Sequence, residues 1–119
     1  IISTARDVGG LRVLSARLDG TPADELKKTA ESIKADYPDV IAVLAGVNGD
    51  KLTFCAACGK EAVAKGAHAG NLVKEVAKVA GGNGGGKPDV AMAGGKDITK
   101  ADAALQTVEI VAAAQMGVK

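Results

Sequence analysis

At 119 residues with a formal net charge of +1, the chain can bury one modest core and offers no global field to a polyanion. Hydrophobic residues make up 47%, yet Phe54 and Tyr37 are the only aromatics. The core is therefore aliphatic, and a single-strand-binding surface of stacked rings is excluded.

Leu11 to Leu18 puts Leu14, Ala16 and Leu18 on one side and reads as a half-buried strand. Thr21-Pro22-Ala23-Asp24 carries a helix-start signature, with Thr21 as the capping residue and Pro22 at the first helical position. That helix is expected to run to Asp36, with Leu26, Ala30, Ile33 and Tyr37 along its buried stripe, and to end before Pro38. Val40 to Ala45 is an unbroken apolar run, as in a strand buried on both faces. Asn48-Gly49 is a hairpin signal, and Lys51 to Cys58 alternates with Leu52, Phe54, Ala56 and Cys58 on one side.

Residues 59–70 read as loop. A second helix is expected over Ala69 to Ala80, with Leu72, Val76 and Val79 inward and Gly81 as its C-cap. A glycine loop follows, then a short strand over Val90 to Ala93. Thr99-Lys100-Ala101-Asp102 opens a last helix to Met116, with Leu105, Val108 and Ala112 inward. The order β-α-β-β-α-loop-β-α predicts a single α/β domain whose mixed sheet is flanked by helices.

Charge is uneven along this order. Residues 1–50 hold six Lys/Arg against eight Asp/Glu, whereas residues 51–119 hold nine against six. The basic half contains the least ordinary stretch of the chain, Gly81-Gly82-Asn83-Gly84-Gly85-Gly86-Lys87. Glycine is costly to order, so a run like this suits close approach of the backbone to something bulky, such as a phosphodiester. The first seven positions fit the phosphate-binding frame G-x-x-x-x-G-K, but Pro88 stands where Ser or Thr must reach Mg²⁺. A helix also precedes the run where a strand is required, so nucleotide hydrolysis is set aside.

Other tempting groups are weaker. Cys55 and Cys58 have redox or zinc spacing, but within a strand they point to opposite faces, and they read as two small buried residues. His68 is the only histidine, which leaves zinc short of ligands and a nucleophile without a base. It reads as a surface or capping-region residue, with phosphate contact as the alternative, and Asn71 as a local cap. No catalytic constellation, cofactor or metal site is expected. The expected phosphate-facing set is Gly82, Gly84, Gly85, Gly86 and Lys87, with Lys96, Lys100 and His68. Amides and lysines read charge and shape more than bases, so folded or duplex RNA is the expected partner.

The strings Gly70-Asn71-Leu72-Val73-Lys74-Glu75-Val76-Ala77 and Gly81 to Gly95, with Val13 to Gly20 before a capped helix, resemble the C-terminal, DHH-associated domain of alanyl-tRNA synthetase. The likeness runs from about Val8 to Met116, and its most specific part is the glycine run with Pro88-Asp89. It implies a non-catalytic appendage that binds tRNA, expected to be tRNA-Ala, and helps position it for aminoacylation and editing. It also implies contact with the other domains of a parent ligase and the possibility of a homodimer. The family often has arginine where Lys87 stands, so a bidentate grip is replaced by a point charge. Residues 1–8 are then expected to be the tail of a preceding segment and 9–119 the domain itself. A start at Ile1 without methionine fits a fragment, and the lack of a signal or membrane-spanning pattern points to the cytoplasm. Two other readings compete: a substrate-gripping module of a DHH-type phosphoesterase, and a dimerisation module using Val90 to Ala93 and the last helix.

Overall fold

A computed structural model describes residues 6–117. Six strands form one sheet: β1 (Arg6–Val8), β2 (Leu11–Asp19), β3 (Val40–Asn48), β4 (Lys51–Cys58), β5 (Asn83–Gly86) and β6 (Val90–Gly95). Their spatial order is β1-β2-β3-β4-β6-β5. The helices are α1 (Ala23–Asp36), α2 (Lys60–Ala64), α3 (Ala69–Val79), α4 (Ala101–Gln106) and α5 (Val108–Gln115). Only β2 and β3 run parallel, joined through α1; every other pair is antiparallel. The sheet is mixed, as the element order predicts.

The alternation of side chains decides which helix covers which face. Leu44, Cys55 and Ala57 pack with Leu26 and Ala30 of α1 on one face. Ile41, Val43, Phe54, Ala56, Cys58, Ala91 and Ala93 face the other way, against α3, α4 and α5. β3 is buried from Val40 to Gly46 because it is covered on both sides, which explains its unbroken apolar run. Cys55 and Cys58 fall on opposite faces, both free and fully buried. Burial pushes the Cys55 thiol up to about 11 and the Cys58 thiol up to about 12, so both are held as neutral thiols. The β3–β4 hairpin closes through Gly49 and Asp50, with Asn48 paired to Lys51 and Gly49 at φ +64°.

Several expectations are corrected. Arg6–Val8, within the expected tail of residues 1–8, pairs with Leu11–Val13 as the edge strand β1, a strand that the expected element order did not include. The first five residues of that expected tail lie outside the described residues. Residues 60–64 form a short helix within the segment expected to be loop. Thr21 does not cap α1: Pro22 holds that position and no side chain bonds the helix start. The last helix is broken at Thr107, whose hydroxyl donates to the Ala104 carbonyl at 2.7 Å, a back-bond that competes with the helical ladder. It opens not under Thr99 but through a 3-10 turn, Ile98–Lys100, where Asp97 Oδ1 accepts from the Thr99 amide.

The largest correction concerns the glycine run. Asn83–Gly86 is not a loop but the edge strand β5, paired antiparallel with β6 from Asn83–Gly94 to Gly86–Ala91. β6 in turn lies between β4 and β5, so neither of its edges is free to pair with a second copy.

Candidate nucleic-acid interface

Most of the glycines in the run answer to packing. A Cβ on Gly82 would stand 1.7 Å from the Gly94 carbonyl oxygen, and one on Gly84 would stand 2.4 Å from the Ala93 methyl. On the helix side, a Cβ on Gly70 of α3 would reach within 2.4 Å of the Gly86 carbonyl oxygen. The edge strand is therefore pressed between β6 and the start of α3, and only bare backbone fits there. Gly94 is different: a Cβ there would meet nothing within 4 Å, and the nearest atom at Gly85 lies 4.0 Å away. One amide of the run is already engaged, since Gly84 donates to its neighbour Asn83 Oδ1 at 2.9 Å.

The turn after β5 is held from three sides. The Ala69 and Gly70 amides, two of the four orphan donors at the start of α3, donate to the Pro88 and Lys87 carbonyls at 2.8 and 3.1 Å. The Asp89 carbonyl accepts from the Cys58 amide at 2.8 Å. The Asp89 carboxylate accepts from Lys34 Nζ of α1 at 3.2 Å, and that hydrogen bond holds its carboxyl below the usual carboxylate range. Lys87 is thus exposed at its tip and fixed at its backbone.

A groove of about 300 Å³ opens beside this turn. Gly85, Gly86, Lys87, Val90 and Met92 form one side, and Lys27, Glu31 and Lys34 of α1 form the other. Gly94 and Thr53 continue the sheet surface beyond Met92 by register, through the pairs Asn83–Gly94 and Gly94–Thr53.

The residues expected to face phosphate do not all converge. Gly85, Gly86 and Lys87 line the groove, whereas Gly82 and Gly84 are packed against β6. Lys96 and Lys100 lie past the far end of β6, about 20 Å from Lys87 at 3.3 Å per strand residue. There the Lys96 and Asp97 amides both donate to the Ala80 carbonyl, at 2.9 and 3.0 Å. The Asp97 carboxyl, lowered chiefly by its bond from the Thr99 hydroxyl, lies among these lysines.

His68 caps α3. Its Nδ1 accepts from the Asn71 amide at 3.0 Å, so Asn71 is the donor and not the cap. A clasp joins it to α5: the His68 amide donates to Gln115 Oε1 at 3.0 Å, and Gln115 Nε2 donates to the His68 carbonyl at 3.1 Å. The sequence reading missed Lys27, Glu31 and Lys34, although their i, i+4, i+7 spacing beside Leu26 and Ala30 marks one helix stripe. Among the described residues no polar side chain is buried, and no group of three His, Cys, Asp or Glu is placed to hold a metal ion. None of the described helices is long and apolar enough to cross a membrane.

The fold and sequence that build this groove have known relatives. The chain belongs to the DHHA1 domain family, whose model matches residues 10–114. Its fold is similar to the C-Ala domain from Aquifex aeolicus alanyl-tRNA synthetase, with a TM-score of 0.82 and 26% identity over 91% of this chain and 96% of that one. Among full-length relatives, the alanine–tRNA ligase of Alkaliphilus oremlandii is 45% identical over 116 residues, which is 98% of this chain and 13% of that protein. The alanine–tRNA ligase of Polynucleobacter asymbioticus is 49% identical over 105 residues, 88% of this chain and 12% of its own length. The chain thus spans about an eighth of the curated relatives it matches. The resemblance to the C-terminal domain of alanyl-tRNA synthetase, drawn from the glycine run, holds along nearly the whole chain.

Proposed function

We propose that this chain is a non-catalytic tRNA-binding domain of an alanine–tRNA ligase, and that it helps position tRNA-Ala for aminoacylation and editing. The observation that carries the reading is the groove at the glycine hairpin, where side-chain-free backbone meets exposed lysine. Phosphate oxygens suit such a surface because ammonium groups and bare backbone allow close approach without reading bases. The other domains of the parent ligase are its expected neighbours in the cytoplasm. The alanine–tRNA ligases among its relatives favour this over a phosphoesterase module. Self-association by strand pairing at Val90 to Ala93 is the weaker partner reading, since both edges of β6 are occupied.

Fluorescence titration of the chain with tRNA-Ala, a second tRNA and an unrelated RNA duplex, over a salt series, tests the reading. Affinity is expected to fall with salt at a log–log slope of about −0.9 per phosphate neutralised, on the duplex scale. Substituting Lys87→Ala and Lys96→Ala together is expected to weaken all tRNA binding. Absence of binding at low salt, or indifference to both substitutions, would sink it.

A further inference from the structure

The groove has two walls, and only one belongs to the glycine hairpin. The other is the Lys27, Glu31, Lys34 stripe of α1, beside the buried Leu26 and Ala30. Lys34 is committed to Asp89 at 3.2 Å. Lys27 and Lys87 take part in none of the ion pairs among the described residues. Both are exposed. Two uncommitted ammonium groups therefore line one cleft from opposite sides, with Met92, Gly85 and Gly86 between them. Two carboxylates line it as well: Glu31, a helical turn from Lys27 on the same wall, and Asp89, which is paired with Lys34. A cleft of about 300 Å³ is at the small end of ligand-sized cavities, the scale of a segment of one strand and not of a whole duplex.

Resting on the RNA-binding reading, we infer that α1 supplies the second half of the interface: one strand of the folded RNA runs between α1 and the glycine hairpin, with its phosphates held by Lys27 on one side and Lys87 on the other. Lys34 acts through Asp89 as a positioning residue, keeping the hairpin at a set distance from α1. Glu31 opposes the phosphates and limits affinity. This assigns an RNA contact to the acidic N-terminal half of the chain, where charge balance alone would not look for one.

The test is tRNA titration of the wild-type chain and of Lys27→Ala, Glu31→Gln, Lys87→Ala and Lys74→Ala, each over a salt series, with far-UV circular dichroism to verify folding. Lys27→Ala and Lys87→Ala are each expected to weaken binding and reduce the salt slope by about one. Glu31→Gln is expected to tighten binding about two- to fivefold, the range for removing an exposed charge interaction. Lys74→Ala, on the exposed side of α3, is expected to bind as wild type. If Lys87→Ala weakens binding while Lys27→Ala and Glu31→Gln behave as wild type, the RNA rests on the hairpin alone. The inference then falls and the tRNA-binding reading stands. If the wild-type chain binds no RNA at low salt, both fall.

Discussion

At the scale of single residues, two glycines that look alike in the sequence have opposite roles. Gly82 leaves no space for a methyl group, because the Gly94 carbonyl occupies it, whereas Gly94 itself borders open space. Gly82→Ala is expected to destabilise the chain by about 1–3 kcal/mol or more through overpacking. Gly94→Ala is expected to stay within about 0.5 kcal/mol, as surface changes usually do. Urea midpoints of the two variants check this; equal midpoints would show that the edge strand can yield. The cysteines give a pH prediction. Their thiols ionise in the folded chain only at about 11 and 12, against an ordinary 9, because burial disfavours the thiolate. The contribution is fully present below pH 9 and is lost as pH rises through 11 to 12, because the unfolded chain gives up these protons first. Stability measured by urea titration is expected to fall over that window, and Cys55→Ala with Cys58→Ala to flatten the fall.

At the scale of elements, the α3 start is the joint of the molecule. It receives the β5–β6 turn through two amides, and it is clasped to α5 by both ends of the Gln115 amide. Gln115→Ala is expected to cost about 1–3 kcal/mol, being two hydrogen bonds at about 0.5–1.5 kcal/mol each. Amide hydrogen exchange is expected to accelerate first in α5 and at His68; a change confined to α5 would show that the clasp does not support the joint. Element by element, the legible parts were those with local chemistry: the buried stripe of α1, the Gly49 hairpin, and the cap region at His68. The strand β5 was not legible. Its three consecutive glycines have no alternation and low strand propensity, and they pair only because β6 and α3 hold them from two sides. The break at Thr107 was equally hidden, because apolar spacing continues across it.

At the scale of the whole molecule, the sheet is one layer with α1 on one face and α3, α4 and α5 on the other. Because β3 and β4 contribute to both cores, unfolding is expected to be a single cooperative event. Far-UV circular dichroism and the reactivity of the buried thiols should report coincident urea transitions; separate midpoints would show that the two faces melt independently. The aliphatic core, the α/β order, the opposite facing of Cys55 and Cys58 and the glycine motif with its family likeness all follow from residue order, because periodicity and turn chemistry act over a few positions. The placement of Lys27 and Lys87 on opposite walls of one groove does not, and nor does the separation of Lys87 from Lys96, or the division of the glycines into packed and open ones. Those depend on which strand lies beside which, and on which flank of α1 is turned toward the hairpin, contacts between residues tens of positions apart that no local pattern encodes.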